Sequence, residues 1–109
     1  MVIGSHEKAV RCVVAVPNHP HMVLSGSWDE SIKLWDARLP NVCLASTHLS
    51  KKVFSMDVTT DGSKLIVGTN ERQIFIYHLS HTIRHALDMV NSVLSSSSSM
   101  SADSIKKLE

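Results

Sequence analysis

Cysteine is scarce in this sequence, and its scarcity excludes two classes of protein. The chain holds two cysteines among 109 residues, Cys12 and Cys43, with no Cys-x-x-Cys spacing, so neither a disulfide framework nor a cysteine zinc site is available. Both are expected to be reduced and buried, in a cytosolic or nuclear protein. An excess of one charge is also lacking: 11 basic against 10 acidic residues leave a formal net charge of +1, and the two signs are interspersed. No whole-surface field therefore gathers nucleic acid or anionic membrane, and a charged partner must be held by a local patch. Long apolar runs are missing too. None approaches the roughly 20 residues that span a bilayer, and the N-terminal "MVIGSHEKAV" has no basic region leading into an apolar run. Secretion and membrane insertion are not expected. A Gly-rich phosphate loop, paired catalytic carboxylates and an Arg-aromatic nucleic-acid module are likewise absent. The expectation is a small protein with no cofactor, no metal, no direct nucleic-acid partner and no membrane partner.

What is present is short apolar alternation broken by turn residues. In "AVRCVVAV" the residues Val10, Cys12, Val14 and Val16 recur at period 2 and are expected on one face of a strand, which "PNHPH" then stops. "MVLSGS" and "SIKLWD" read as two more strands joined by the tight polar connection "WDE", and "NVCLAST" as a fourth. The programme then repeats: "KKVFSMDV" is a strand, "TTDG" an Asp-Gly turn, "KLIVGT" a strand, "NER" a tight connection and "QIFIYHL" a strand.

Six pairs make the repetition explicit: His6 and His48, Gly26 and Gly68, Asp29 and Glu71, Ile32 and Ile74, Leu34 and Ile76, Trp35 and Tyr77 all share an offset of 42 residues. A period of roughly 40 to 45 with four strands per unit is that of a WD-type propeller blade. The predicted fold is all-β: two four-stranded antiparallel WD-repeat blades, a partial β-propeller, spanning residues 1–79 as units of about 5–47 and 48–79 plus tail residues. Beyond Leu79, residues Ile83, Ala86, Leu87, Val90 and Leu94 follow helical spacing, so residues 80–94 read as an amphipathic helix, the alternative being an outer strand of the second blade. The Ser-rich stretch 95–109 has too little apolar surface to offset the entropy of ordering and is expected to be a disordered tail.

Two Trp-Asp pairs, Trp28-Asp29 and Trp35-Asp36, stand seven residues apart. In WD-type repeats a four-residue hydrogen-bond relay fixes strand register, and the resemblance to such blades implies that His6, Ser25, Asp29 and Trp35 form it here. Indole donor, hydroxyl, imidazole and carboxylate each then find a partner. Ser, His and Asp also make a nucleophilic triad, but in a blade the constellation is structural and no catalytic residue is expected. In the second unit the corresponding residues are His48, Val67, Glu71 and Tyr77. Val67 cannot hydrogen-bond, so that relay is broken. Trp28, at the tip of a tight connection, either packs against the adjoining blade or is an exposed aromatic anchor for a partner. His78, His81 and His85 are spaced for a helical metal site, but no carboxylate or cysteine completes one, and they read as surface histidines.

With "GSHEKAVRCV", "SGSWDESIKLWDAR" and "LIVGTNERQIFIY" in view, residues 1–79 resemble the WD-repeat propellers of the mitotic spindle-checkpoint Bub family, with the Rae/Gle mRNA-export propellers as a sister group. The resemblance implies a non-catalytic ring of about seven blades. Its top face would bind GLEBS-type motifs of checkpoint kinases or a nucleoporin, and phosphorylated repeats of a kinetochore scaffold, in the nucleus and at the kinetochore, with the cytoplasm as an alternative. It places Trp28, Ala9 and Arg11 of the first unit, and Asn70, Lys52 and Phe54 of the second, on that face. Trp28 and Phe54 offer aromatic surface, and Arg11 and Lys52 can pair with carboxylates or a phosphate; for Lys52 the alternative is a solvated lysine.

The chain holds two units where the family has about seven, so it reads as a fragment, a truncated form or a divergent product. Two blades leave open faces and edges that invite pairing with another chain. Three readings follow: an interaction module recruiting peptide motifs, an mRNA-export or nuclear-pore adaptor, and an inactive piece that pairs with a full propeller.

Overall fold

A computed structural model describes the backbone of residues 1–100 and the side chains of residues 1–95. Seven strands form two antiparallel sheets, followed by one helix: β1 (Val10–Ala15), β2 (Met22–Ser27), β3 (Ser31–Asp36), β4 (Ala45–His48), β5 (Val53–Val58), β6 (Lys64–Thr69), β7 (Ile74–His78) and α1 (Ser80–Met100). The first sheet runs β1-β2-β3-β4 and the second β5-β6-β7. Each is a meander in which sequential strands pair.

The turns follow from their residues. Asn18 (φ 66°) lies in the β1–β2 connection and Gly62 (φ 75°) in the β5–β6 connection. In the latter, Asp61 accepts from the Thr59 hydroxyl at 2.7 Å and from the Ser63 N–H and hydroxyl at 3.0 and 2.7 Å. The Ser63 N–H and these hydroxyls hold the Asp61 carboxyl down at about 2. The two tight connections, Trp28–Glu30 and Asn70–Arg72, are built alike, with Glu30 (φ 73°) and Arg72 (φ 66°) in the same left-handed position.

Both sheets carry a β-bulge at the same place. Val10 pairs with Ser27 while Cys12 pairs with Gly26, and Val53 pairs with Thr69 while Ser55 pairs with Gly68. Arg11 and Phe54 are therefore the extra residues, and a bulge moves the residues on its two sides onto opposite faces. This corrects the simple alternation expected for "AVRCVVAV". Cys12, Val14 and Val16 share a face, but Val10 points to the other one, with Val13.

The face of the first sheet carrying Leu24, Gly26, Ile32 and Leu34 packs on the face of the second carrying Val53, Leu65 and Val67, and all six of these large apolar residues are buried in one core. Gly26 is the point of closest approach: a Cβ there would lie 2.6 Å from Val53 Cγ1 and 3.0 Å from Met56 Sδ. Glycine is needed because the neighbouring sheet occupies the space a side chain would fill. Cys12 sits beside this contact, and burial pushes its thiol up. Cys43, by contrast, is exposed. It lies in the connection between β3 and β4, where its thiol donates to the Ala45 carbonyl at 3.2 Å.

The second unit departs from the expected four strands. Among the described residues no strand follows β7; the chain turns directly into α1, where Leu79 N–H donates to the Ser63 carbonyl at 2.8 Å and Ile83 N–H to that of Leu79 at 2.8 Å. Ile83, Ala86 and Val90 are buried in the common core, with Leu87 and Leu94 packed at its edge. Once these anchors hold the helix, each further serine adds a backbone hydrogen bond at modest propensity cost. The helix accordingly runs through the Ser95–Ser99 run to Met100 rather than giving way to a tail at residue 95. The rest of the expected tail, 101–109, lies outside the described residues.

Gly26→Ala is expected to destabilise the chain by about 1–3 kcal/mol, the cost of overpacking a filled interior. At the equivalent position Gly68→Ala meets only the Ser55 hydroxyl, at 2.8 Å, which can rotate away, and is expected to cost less. Urea unfolding of the two variants checks the order.

Candidate functional site

The strands gather the polar residues of the first sheet into one chain of hydrogen bonds. Trp35 Nε1–H donates to Ser25 Oγ at 2.8 Å, and Ser25 Oγ lies 2.6 Å from His6 Nε2. His6 Nδ1 lies 3.0 Å from Asp29 Oδ2 and 3.1 Å from Ser31 Oγ. Because the indole can only donate, Ser25 is free to pass its own proton toward His6 Nε2, which leaves Nδ1–H to donate to Asp29 in the neutral tautomer. Asp29 also accepts from the Ser31 hydroxyl and N–H, at 2.6 and 2.9 Å, and from Glu7 N–H at 3.0 Å. Ser31 is a member of this network that the sequence reading left out. Its signal was its position two residues after Asp29, the spacing at which a carboxylate caps a turn by accepting from a backbone N–H.

Burial opposes ionisation of Asp29, but the hydrogen bonds from Ser31, Glu7 and His6 outweigh it and hold the carboxyl well below the usual carboxylate range. The order Ser25, His6, Asp29 is that of a nucleophilic triad. Ser25, however, is buried, and its oxygen already accepts from the indole N–H, so its hydroxyl is committed to the relay. Trp35 is 6% exposed, and a Cβ on Gly4 would overlap its ring, so the N-terminal segment lies directly on the indole.

The aspartates of the two Trp-Asp pairs divide the work. Asp29 closes the relay. Asp36, whose side chain is fully buried, accepts from Arg38 Nη2 at 2.8 Å, Nε at 3.0 Å and N–H at 2.8 Å, tying down the chain as it leaves β3. Burial opposes ionisation here too, and the Arg38 donors overcome it.

In the second sheet the corresponding positions share no such chain. Val67 is fully buried, His48 lies on β4 with Nε2 3.6 Å from Glu30, and Glu71 accepts from Lys51 Nζ at 2.8 Å. Tyr77 instead stacks with Phe75, ring centroids 6.3 Å apart.

The residues expected on a partner-binding face come together at the tight-turn ends of the two sheets. Trp28 N–H donates to the Ala9 carbonyl at 3.1 Å, and Asn70 N–H donates to that of Lys52 at 3.2 Å. The same latch is thus made once per sheet. Asn70 Oδ1 also accepts from Lys52 N–H at 3.1 Å. Trp28 is 40% exposed, with the Phe54 ring 6.4 Å away and Lys52 Nζ 5.6 Å from its own ring centroid. Trp28 comes from the first sheet, Phe54 and Lys52 from the second. The indole therefore touches the adjoining blade and still presents surface to solvent. Arg11 is exposed at the first bulge, the position Phe54 holds at the second. Among the described residues neither Arg11 nor Lys52 forms an ion pair, and of the two it is Lys52 whose ammonium lies over the Trp28 ring.

Among the described residues no three His, Cys, Asp or Glu side chains group closely enough to hold a metal ion. No described helix is long and apolar enough to cross a membrane.

Comparisons with known proteins bear on the same segments. Residues 1–36, which hold all four relay residues, match the family described as WD domain, G-beta repeat. The mitotic checkpoint protein bub-3 of Caenorhabditis elegans is 41% identical over 93 residues, covering 84% of this chain and 26% of that protein. The poly(A)+ RNA export protein of Schizosaccharomyces pombe is 35% identical over 80 residues, 72% of this chain and 22% of that protein. The chain thus spans about a quarter of the length of the relatives it matches. Among solved structures, the RRP9 WD40 repeats superpose with a TM-score of 0.65 at 24% identity, over 72% of this chain and 25% of that one. That likeness speaks to the fold.

Removing the hub of the relay is expected to be costly. Ser25→Ala leaves the Trp35 N–H without its partner in a buried place, at about 1–3 kcal/mol, read from urea midpoints. The carboxylates set the pH dependence. The folded-state pKa values of Asp29 and Asp36 lie below their unfolded ones, so both stabilise the fold above the unfolded value of about 4. That stability is lost as pH falls through this value toward the folded ones. Unfolding midpoints should drop between neutral pH and about pH 3, and less steeply in Asp29→Asn.

Proposed function

Because the chain belongs to the WD-repeat proteins, we propose that it is a non-catalytic interaction scaffold. In this reading it recruits short peptide motifs through the face formed by Trp28, Phe54, Lys52, Asn70 and Arg11. The observation that carries the proposal is Trp28: a large indole left 40% exposed, held between an aromatic ring and an ammonium group of the neighbouring sheet. Exposed aromatics with flanking cations are the composition of interface hot spots. The ligand this surface suits is an extended segment that pairs an apolar or aromatic residue with carboxylates or a phosphate. The GLEBS-type motif of checkpoint kinases or a nucleoporin, and phosphorylated repeats of a kinetochore scaffold, have that chemistry. Relatives named for the mitotic checkpoint and for RNA export support this class of partner and a place in the nucleus or at the kinetochore. Between the two branches the checkpoint reading is preferred, on the higher identity over the longer stretch.

Binding of a GLEBS-type peptide and of a phosphorylated kinetochore-type peptide, measured by calorimetry, tests the proposal. Trp28→Ala should weaken binding by roughly 30-fold, a hot-spot loss of about 2 kcal/mol, with the folded state retained. Lys52→Glu should weaken the acidic peptide more than a neutral one. If the wild-type chain binds neither peptide and is retained only by an intact propeller, the recruitment reading fails and edge pairing replaces it.

A further inference from the structure

At the end of the two sheets opposite Trp28, the β1–β2 and β5–β6 connections meet. A Cβ on Gly62 would stand 3.5 Å from the Pro17 carbonyl, so the two turns are in contact there. α1 lies across them. Ser80, Ile83, Arg84 and Leu87 recur at helical spacing along one stripe, with Ile83 buried in the core and Leu87 packed at its edge. Turns and helix together border a cleft of about 300 Å³, lined by Pro17 and His19 of the first turn, Asp61 of the second and the stripe of α1.

The cleft carries one fixed charge of each sign, and neither is neutralised. Asp61 Oδ1 takes all three donors from Thr59 and Ser63, and among the described residues Oδ2 receives none. Those donors hold the carboxyl at about 2, so it is an anion throughout the neutral range, oriented by its turn. Arg84 is exposed, and among the described residues no carboxylate forms an ion pair with it. Asp61 and Arg84 thus border the same cleft without pairing with each other. Opposite charges that share a cleft and do not meet leave room for a ligand that carries both signs.

Ligands of a single sign suit it less. A phosphate or an acidic peptide drawn by Arg84 is repelled by Asp61, and a simple cation meets the reverse. The rest of the lining includes the apolar surface of Pro17, Ile83 and Leu87. The volume stands at the lower end of the roughly 300–1,000 Å³ of small-molecule pockets, which fits one small molecule rather than a long peptide.

We propose that this cleft binds a free aliphatic α-amino acid of leucine size. Its ammonium donates to Asp61 Oδ2, its carboxylate accepts a bidentate pair from the Arg84 guanidinium, and its side chain covers Ile83, Leu87 and Pro17. His19 and Ser80, which border the cleft as well, can hydrogen-bond the carboxylate. The site is separate from the Trp28 surface and does not depend on the peptide-binding reading.

Proton–nitrogen correlation spectra of the whole chain, followed as L-leucine is added, test the proposal. Leucine should move the Gly62 and Arg84 amides and leave the Trp28 indole in place. N-acetylleucine lacks the ammonium, leucinamide the carboxylate and glycine the side chain, and each should bind roughly ten-fold more weakly. Asp61→Asn keeps an Oδ1 acceptor for the turn while removing the charge, and Arg84→Gln alters an exposed side chain. Both should keep the wild-type fold and weaken leucine to a similar degree. In Arg84→Glu the order should reverse, with leucinamide bound better than leucine, a change that a merely structural role for Arg84 does not produce. No shift with leucine, shifts centred on Trp28, N-acetylleucine, leucinamide or glycine binding as well as leucine, or an unchanged order in Arg84→Glu would overturn the proposal.

Discussion

Val53 seated against Gly26 is the contact on which the rest of the molecule depends. Each sheet is apolar on the face it turns to the other, and neither has enough apolar surface to hold a core of its own, as is general for repeat units. The contact also sets the functional geometry. Trp28 follows Gly26 by two residues and Phe54 follows Val53 by one, so clamping the glycine to the valine brings the indole and the phenyl ring to the same end of the two sheets. The bulges complete the alignment. They place Arg11 and Phe54 as the extra residue in their respective strands, out of the ladder.

The two sheets keep their order by different means. The first has a polar device: the indole, hydroxyl, imidazole and carboxylate of Trp35, Ser25, His6 and Asp29 are mutually satisfied, and among the described residues no buried side-chain polar atom lacks a partner. Such a network specifies one register, because slipping a strand would leave buried donors unpaired. The second sheet lacks it. Val67 fills the position of Ser25 and is buried against the first sheet, so register there is inherited through packing. α1 then lends the shared core Ile83, Ala86 and Val90, while among the described residues β7 has no fourth strand beside it.

The fold class and the strand pairs were legible because they are local: alternation, turn residues and one 42-residue offset are visible without knowing what touches what. The residues of the relay were marked by the likeness to WD-type repeats, and their chemistry agrees, since an indole donor, a hydroxyl, an imidazole and a carboxylate can satisfy one another. What escaped was long-range. The facing of Val10 is decided by a bulge, a property of two strands in register rather than of one sequence. The exposure of Cys43 depends on where a connection lies against the sheets. The continuation of α1 past Leu94 depends on anchors a turn or more earlier, whereas composition alone speaks for disorder. Ser31 was passed over because its neighbours carried more conspicuous chemistry.

The two tryptophans allow the central claim, that one builds the blade and the other presents it, to be measured directly. Each indole N–H gives one resonance in a proton–nitrogen correlation spectrum, and solvent exchange with and without an acidic peptide distinguishes them. The account predicts that the Trp35 signal, hydrogen-bonded to Ser25 and buried, exchanges slowly and stays in place on titration. The Trp28 signal should exchange quickly and shift with peptide. Equal exchange of the two indoles, or a titration that moves Trp35 and leaves Trp28 unchanged, would contradict it.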